Sequence, residues 1–501
     1  MGHTITRRRA IQTLGAAGAG LVLTGRGLGQ VDDIRIGGRP VEIEIGPAPT
    51  WSGPANPAIV RIRVRPVREG LVVPLPDHRI INDRADQARP PRAQSTTDLA
   101  RVRVGDCVVR FSQSPPTLHI ETSAGTLVQR LTFDSEDPEL RFTLPQGPLF
   151  GFGEGGAGFD RKGTIDPMRN GQTSYVSPTG QGGYSLRTHG ARVAIPWLIG
   201  TDGWGLYLHQ PQGTFDLTGD TATFTPRTPD AAFDILIVAT TDPAVMMRAW
   251  ADLTGYPEMP PLWSFGYLQS SRTLSGPEEI RTVARTFREK QLPCDGLIFL
   301  GTEFTPSGWN TRNGEFGWKP ENFPNPKAML DELHALDYKV VLHIVVEGRV
   351  FTGTVNDPCT APPLPPGRTD DDRWPPERQV SCYWPAHKPL ADLGVDGWWP
   401  DQGDGYDLAS RLARIRMYWE GSQQWHPNVR PFALHRNGQA GMQRYGAFLW
   451  SGDVFSFWET LRLHVPIAIN TALSGIPFWG TDIGGFVPTK EYTGELHVRW
   501  F

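Results

Sequence analysis

The chain has 501 residues, of which 39% are hydrophobic and 20% charged, and its formal net charge is −4. A chain of this length and composition is typical of a globular protein with two or more domains, and its near-neutral charge argues against a mainly nucleic-acid-binding surface. No apolar run reaches the roughly 20 residues that span a bilayer, and no paired CxxC spacing indicates zinc, so we expect neither a membrane partner nor a metal.

The first 30 residues have the pattern of an export signal. Thr6-Arg7-Arg8-Arg9-Ala10-Ile11 precedes a mildly apolar run from Leu14 to Leu23. A basic patch followed by a short apolar run is similar to a bacterial twin-arginine signal, and this run is too short to anchor a chain in a membrane. We therefore expect residues 1–30 to direct export to the periplasm or the exterior; the alternative is a basic tail.

Export would permit disulfide bonds. Cys359 and Cys382 lie in one proline-rich segment and are candidates for a pair. Cys294 lies in an apolar, strand-like run, which predicts a buried thiol instead.

Residues 31–255 alternate apolar and polar side chains between turn residues. The clearest segments are Val41–Ile45, Ile59–Val64, Val108–Phe111, Leu118–Glu121, Gly203–Leu208 and Ala231–Val238. Alternation with a period of two indicates strands that have one buried face. We predict an N-terminal antiparallel β-sandwich over 31–255, ending in a helix from Pro243 to Asp252.

After Tyr256 the pattern changes to strands that alternate with helices. The predicted strands are Trp263–Gln269, Asp295–Leu300, Tyr338–Val346, Val395–Pro400, Pro431–His435, Ala447–Gly452 and Ile476–Gly480. The predicted helices between them are Pro277–Lys290, Pro326–Leu336, Asp407–Trp419 and Phe455–Val465. This alternation indicates parallel βα units.

Seven such strands predict a (β/α)8 TIM barrel over 256–501 that lacks its last strand and helix in this chain. An irregular insertion, 349–390, follows the third strand, on the face where barrel active sites lie. A barrel without its eighth strand has an open sheet edge, so we expect residues 1–501 alone to fold poorly or to be inactive.

Two aspartates directly follow predicted barrel strands. Asp401 follows Val395–Pro400, and Asp453 follows the strand that ends at Gly452. Catalytic groups of barrels lie at these carboxyl ends, and two carboxyl groups are the minimum that glycoside hydrolysis requires. The alternative is that each aspartate caps the helix that follows it.

Many of the 17 tryptophans lie near predicted strand ends. Flat apolar rings with a polar edge suit the faces of sugars, although core packing also explains many tryptophans. No organic cofactor is indicated, because Gly151-Phe152-Gly153-Glu154-Gly155-Gly156 matches GxGxxG only literally and is followed by no predicted helix.

Several segments together resemble glycoside hydrolase family 31. Gly397-Trp398-Trp399-Pro400-Asp401-Gln402-Gly403-Asp404 is similar to the nucleophile strand of that family. Arg436, Gln443-Arg444-Tyr445-Gly446, Trp450-Ser451-Gly452-Asp453 and Trp458-Glu459 resemble its acid/base segment. Further similar blocks, in chain order, are Phe150–Glu154, Pro261–Tyr267, Leu473–Phe486 and Glu495–Trp500.

The resemblance implies that Asp401 is the nucleophile and Asp453 the general acid/base of a retaining mechanism. It places Arg436, Trp450 and Asp482 in the sugar subsite, and we add Trp398, Trp399 and Trp479 from their positions at strand ends. The second strand departs from the family pattern, since Leu300-Gly301 stand where the family usually has a sugar-binding aspartate. Glu303 is the nearby acid that we expect to substitute for it.

The sequence thus predicts an exported retaining α-glycosidase that acts on α-glucosides, α-xylosides or their oligosaccharides without a cofactor. The oligomeric state stays open. The alternatives are an α-transglycosidase or an α-glucan lyase with the same carboxylates, and a catalytically silent carbohydrate-binding protein or inactive fragment.

Overall fold

The computed structural model describes residues 34–51, 53–69, 71–75, 79–81, 92–93, 99–156, 158–171, 184–209, 213–228, 232–271, 275–301, 308–309, 316–345, 383–403 and 406–501. The predicted signal 1–30, the predicted pair Cys359–Cys382 and Glu303 lie outside these residues. Cys294 lies inside them and is a buried free thiol, as predicted.

The strands before residue 240 form two antiparallel sheets, as the alternation predicts. The first sheet contains β1 (Arg35–Ile36), β2 (Arg39–Pro47), β3 (Ile59–Arg68), β4 (Leu71–Val72), β5 (Arg92–Ala93), β11 (Leu149–Gly153), β13 (Ala194–Gly200), β14 (Trp204–Leu208) and β17 (Phe233–Ala239). The second contains β6 (Val102–Val104), β7 (Cys107–Ser112), β8 (Thr117–Thr122), β9 (Leu127–Phe133), β10 (Leu140–Thr143), β12 (Ile165–Asp166), β15 (Gly213–Asp216) and β16 (Thr221–Pro226).

One core lies between the two sheets. Ile62 and Leu206 of the first sheet belong to the same buried cluster as Leu131, Phe142 and Phe224 of the second. Each inward side chain removes apolar surface from water at about 25 cal/mol per Å², which is the main stabilising contribution here. The order β1-β2-β3-β17-β14-β13-β11 in the first sheet leaves β11 at one edge of this path.

A charged cluster is buried in the first sheet. Arg61 donates through Nε to Oδ1 of Asp234 at 2.9 Å and through Nη2 to Oδ2 at 2.7 Å. Nδ1 of His209 lies 2.8 Å from the same Oδ2. Burial raises the pKa of Asp234, but the charge and hydrogen bonds of Arg61 outweigh this effect and lower it well below its usual range. The cluster is therefore an ion pair whose breakage would leave a buried charge.

The second half contains seven parallel strands, as predicted. They are β18 (Leu268–Ser271), β19 (Gly296–Phe299), β20 (Lys339–Ile344), β21 (Gly397–Pro400), β22 (Leu434–His435), β23 (Phe448–Trp450) and β24 (Trp479–Gly480). The first four pair in chain order, as do the last three, and a parallel bridge between Trp398 and Ala433 links β21 to the segment before β22. Among the described strands no pairing joins β24 to β18, so the sheet is not a closed barrel.

The helices of the described chain are α1 (Leu186–His189), α2 (Pro243–Thr254), α3 (Pro277–Glu289), α4 (Pro326–Ala335), α5 (Lys388–Leu393), α6 (Leu408–Trp425), α7 (Trp458–Leu473) and α8 (Gly494–Trp500). The predicted helices at 243, 277 and 326 match within three residues, and α6 and α7 extend beyond their predicted ends. The domain bounds at 255 and 256 stay a prediction.

Two local predictions differ from the structure. The predicted strand Trp263–Gln269 is a 3₁₀ turn over Leu262–Phe265 followed by β18. Pro261 fixes the backbone before this turn, and the Ser264 hydroxyl donates back to its carbonyl at 2.6 Å. The end of the predicted irregular insertion 349–390 is also regular, since residues 384–393 are helical and pack into the core.

The N-terminal sheet and α7 are joined by side-chain hydrogen bonds to β11. The backbone N–H of Gly151 donates to Oδ1 of Asn470, and that of Gly153 donates to Oγ of Ser474, each at 2.8 Å. These bonds satisfy backbone donors of a sheet edge that would otherwise be open. The barrel-type half therefore packs directly against the antiparallel half.

Candidate active site

Three predicted site residues follow consecutive parallel strands. Asp401 comes directly after β21, Arg436 directly after β22, and Asp453 three residues after β23. Because the carboxyl ends of parallel strands meet at one edge of a sheet, this connectivity places the three residues along the same edge.

Both oxygens of the Asp401 carboxylate are hydrogen-bonded. Oδ1 lies 3.1 Å from Nη1 of Arg436 and accepts from the backbone N–H of Gln402 at 2.7 Å. Oδ2 lies 3.0 Å from Nε2 of His343. The side chain is 13% exposed, so the carboxylate is largely enclosed.

The surroundings of Asp401 hold it in the ionised state. Burial raises the pKa of the carboxyl, but the charge of Arg436 and the hydrogen bonds from His343 and Gln402 together lower it to about 2. A carboxylate that stays ionised and has fixed orientation can attack an electrophilic carbon or stabilise a cation beside it.

His343 is a site residue that the sequence reasoning missed. It lies on β20, one residue before the strand ends, and is buried. The backbone N–H of Gly301 donates to Nδ1 at 3.3 Å, so Nε2 carries the hydrogen that is donated to Asp401. A single histidine near the end of the otherwise apolar run Val340–Ile344 was the available sequence signal.

Gly301, which lies just after β19, lets the Trp309 indole and the His343 carbonyl approach the backbone closely. A Cβ at this position would come within 2.5 Å of Nε1 of Trp309 and 2.7 Å of the His343 carbonyl oxygen. The Trp309 indole donates to that carbonyl at 3.0 Å and is fully buried. The space beside Gly301 is therefore filled by an aromatic ring.

Two of the predicted tryptophans join the Asp401 group. The ring of Trp399 meets that of His343 at 4.3 Å between centroids and that of Trp450 at 5.1 Å, edge to face in both cases. The Arg436 guanidinium lies 5.9 Å from the centre of the Trp450 ring. With Leu300 and other side chains these two tryptophans form one buried cluster inside the sheet.

Trp398 and Trp479 lie elsewhere. Adjacent strand residues point to opposite faces, so Trp398 packs outside the sheet, edge to face with Trp384 and His387. Trp479 donates from its indole N–H to Oε1 of Glu154 at 2.8 Å, which ties it to the N-terminal sheet. The structure does not bring these two tryptophans to the Asp401 group.

Glu154 is itself a fully buried carboxyl. Burial raises its pKa well above the usual range, and the hydrogen bond from Trp479 and the charge of Arg192 oppose that rise without cancelling it. Burial therefore favours the neutral form of the Glu154 carboxyl, which accepts the hydrogen bond from Trp479.

The Asp453 loop is held by the segment around α1. The N–H of Ala191 donates to the Ser451 carbonyl at 2.6 Å, and the N–H of Phe455 donates to the Arg187 carbonyl at 2.8 Å. A Cβ on Gly190 would collide with the same Ser451 carbonyl, so glycine is required at this contact. Asp453 is partly buried between these two anchors.

Asp482 is the remaining predicted site residue that is described. It follows β24 by two residues and is partly buried, and its carbonyl accepts from the N–H of Gly485 at 2.9 Å. In the part of the chain that the structure describes, no group of three His, Cys, Asp or Glu side chains is placed to hold a metal ion. No helix of this part is both long and apolar enough to cross a bilayer.

Residues 257–501 match the family model described as the glycosyl hydrolases family 31 TIM-barrel domain. The chain is 27% identical over 451 residues to an alpha-xylosidase of Saccharolobus solfataricus, covering 79% of this chain and 59% of that protein. It is 26% identical over 407 residues to alpha-glucosidase 2 of Bacillus thermoamyloliquefaciens, covering 70% and 48%. The chain thus spans between about half and three fifths of the length of these relatives.

Solved structures with the same fold include two carbohydrate complexes. A Flavobacterium johnsoniae GH31 dextranase complexed with glucose superposes with a TM-score of 0.70 at 20% identity, covering 88% of this chain and 59% of that one. A GH31 alpha-xylosidase from a soil metagenome complexed with xylose gives 0.66 at 20% identity, covering 93% and 73%. At this level of identity the likeness concerns the fold.

Proposed function

The chain belongs to glycoside hydrolase family 31 through residues 257–501, and we propose that it cleaves α-glycosidic bonds with retention of configuration. The observation that carries the proposal is Asp401 at the carboxyl end of β21, enclosed and held ionised by Arg436 and His343. A cap for the following helix would not need these partners, and Asp407 already fills that role for α6 by accepting from the Ser410 N–H.

In the proposed mechanism, an Asp401 oxygen attacks the anomeric carbon while the Asp453 carboxylic acid protonates the departing glycosidic oxygen. A covalent glycosyl–Asp401 ester forms and the aglycone leaves. Asp453, now ionised, takes a proton from water, whose oxygen attacks the same carbon and displaces Asp401. Two displacements restore the original configuration and require the two carboxyl groups to lie about 5–5.5 Å apart.

For the substrate we propose an α-xyloside or α-glucoside. The support is the similarity over most of this chain to proteins named alpha-xylosidase and alpha-glucosidase. Trp399 and Trp450 pack against His343 and Arg436, the partners of Asp401, and an aromatic lining of this kind suits a pyranose ring. Product analysis with water and with a sugar acceptor distinguishes hydrolysis from transfer, and an unsaturated product would indicate a lyase.

The test uses p-nitrophenyl α-xyloside and α-glucoside with two variants. Asp401→Ala should lose turnover, and azide should restore cleavage by attacking from the vacated face, which gives the β-glycosyl azide. Asp453→Ala should retain the covalent step for this good leaving group, and azide should then give the α-glycosyl azide. Normal turnover by Asp401→Ala would exclude it as the nucleophile.

We also propose that residues 1–30 direct export through a twin-arginine route. The support is the Arg7-Arg8-Arg9 patch before a short, mild apolar run. A reporter fused to residues 1–30 should be exported, and replacing all three arginines by lysine should retain it in the cytoplasm. Equal export of both fusions would refute the proposal.

A further inference from the structure

The backbone directly after Asp401 is left-handed at two successive residues. Gln402 has φ +59° and Gly403 has φ +85°. This region suits glycine but strains a residue that has a Cβ, so neighbouring groups must hold Gln402 in it. Strain at the residue beside a functional carboxylate points to a geometric requirement there.

Arg414 and Asn437 are the groups that hold this turn. Arg414, on α6, donates through Nη2 to the Asp401 carbonyl at 2.9 Å and through Nη1 to the Gln402 carbonyl at 3.1 Å. Nδ2 of Asn437 donates to the same Gln402 carbonyl from another side. A Cβ on Gly403 would lie 2.7 Å from both donors, so glycine there lets them approach.

The turn orients the backbone N–H of Gln402 toward the Asp401 carboxylate. With the two carbonyls directed toward Arg414, the N–H of Gln402 points back and donates to Oδ1 of Asp401 at 2.7 Å. Arg414 therefore fixes the position of the Asp401 carboxylate through one peptide unit, without touching the carboxylate itself.

Arg414 is in turn anchored in a buried aromatic cluster. It hydrogen-bonds the side chain of Tyr383, whose hydroxyl lies 3.3 Å from that of Tyr418. The Tyr418 hydroxyl lies 3.0 Å from Nε2 of His387, and burial lowers the pKa of His387 to about 3, which keeps the ring neutral. A cation held between this cluster and the turn has little freedom to move.

We propose that Arg414 is a positioning residue for the nucleophile, holding the strained Asp401–Gln402 turn in the geometry that presents the carboxylate to the sugar. The proposal rests on the proposed function. Arg414 and Asn437 lie outside the segments that carry the sequence resemblance.

The test compares Arg414→Met and Arg414→Lys with Arg416→Met, a matched control on the same helix whose arginine pairs with the exposed Glu420. Arg414→Met should lower kcat for p-nitrophenyl α-glycosides about 10- to 100-fold with KM little changed, since a small displacement of a reacting group costs about that much. Arg414→Lys should fall between, because it keeps one donor, and Arg416→Met should match the parent.

The decisive measurement repeats Arg414→Met in the Asp401→Ala background with azide as the nucleophile. If Arg414 acts by placing the Asp401 carboxylate, it has nothing to place in the Asp401→Ala background, because that carboxylate is absent. Arg414→Met should then change the azide-supported rate less than about two-fold. An equal loss in both backgrounds would show a general structural role and overturn the proposal.

Asn437→Ser is a second variant that tests the same proposal if Arg414→Met fails to fold, as judged by its thermal melt. It removes the other donor to Gln402 and should show the same loss of kcat and the same insensitivity in the Asp401→Ala background. Failure of azide to rescue Asp401→Ala at all would count against the proposed nucleophile itself, a result distinct from an equal loss in both backgrounds.

Discussion

Replacing His343 by leucine tests how the ionised state of Asp401 is maintained. Leucine fills similar volume and keeps water out, but it removes the donor 3.0 Å from Oδ2. Arg436 and the Gln402 N–H stay on Oδ1, so the carboxylate loses one of three donors. Because that donor favours the charged form, the pKa of Asp401 should rise from about 2.

The size of this rise follows from the strength of the bond. A hydrogen bond to a charged group contributes about 1.5–3 kcal/mol, and one pKa unit corresponds to about 1.4 kcal/mol, so the pKa should rise by about 1 to 2 units. Activity needs the ionised form, so the acid limb of kcat/KM should move from near pH 2 to about pH 3–4. At pH 6 the carboxylate is ionised in both proteins, and any rate difference there reports orientation.

The assay is kcat/KM for p-nitrophenyl α-glycosides from about pH 1.5 to 7, with samples returned to pH 6 to separate titration from unfolding. His343→Gln should shift the limb less than His343→Leu, because its amide can still donate. His334→Leu is the matched control, since His334 pairs with Asp396 at 2.8 Å, at the other end of β21. A His343→Leu limb that coincides with the parent's would refute the reasoning.

Two further predictions concern stability. Burial raises the pKa of Glu154 in the folded protein above its unfolded value of about 4.3, so wild-type stability should fall as pH rises above that value. Glu154→Gln should therefore gain in Tm relative to wild type from about pH 4 to 7, and a pH-independent difference would contradict the assignment. Asp234→Ala leaves Arg61 as a buried charge, which should cost about 3–5 kcal/mol and lower the melting temperature of the N-terminal sheets by about 6–20 °C. Glu121→Ala, which breaks the exposed pair with Arg110, should cost under about 1 kcal/mol, and a similar loss in both variants would contradict this account.

The spacing of apolar residues predicted most strands and helices, because the residues on the buried face of a strand or helix recur at a fixed interval along the chain. β3 and β7 alternate inward and outward residues, and their inward side chains fill the sandwich core. The helix predicted to end at Val465 continues to Leu473 through Pro466. Its last turn is held by Asn470 and Ser474 on the edge strand β11, and such contacts between distant segments leave no local signal.

The site was predicted in part for a similar reason. Asp401 and Arg436 follow strands, Trp450 ends one, and all three carry the family pattern, so their positions could be read from the sequence. His343 and Arg414 contact Asp401 from β20 and α6, and only the packing of those elements shows it. Trp398 was predicted to contact the sugar because it is a tryptophan near a strand end, but its side chain points outward by strand alternation.

The hydrogen bonds that hold the Asp453 loop show which parts of the chain position each of the two carboxyl groups. Asp401 is held entirely by groups after residue 300, whereas the loop around Asp453 is fastened at Ser451 and Phe455 by Ala191 and Arg187. The loop around Asp453 thus depends on both halves of the polypeptide, since Ser451 and Val454 also bond to Gly480 and Phe486, and the gap between the two carboxyl groups is set in part by how those halves fit. Exchanging the N-terminal half with that of a relative should alter proton donation to the leaving group more than attack by the nucleophile. Selection on leaving-group preference can then act on residues far from the sugar, in a part of the chain that carries neither carboxylate.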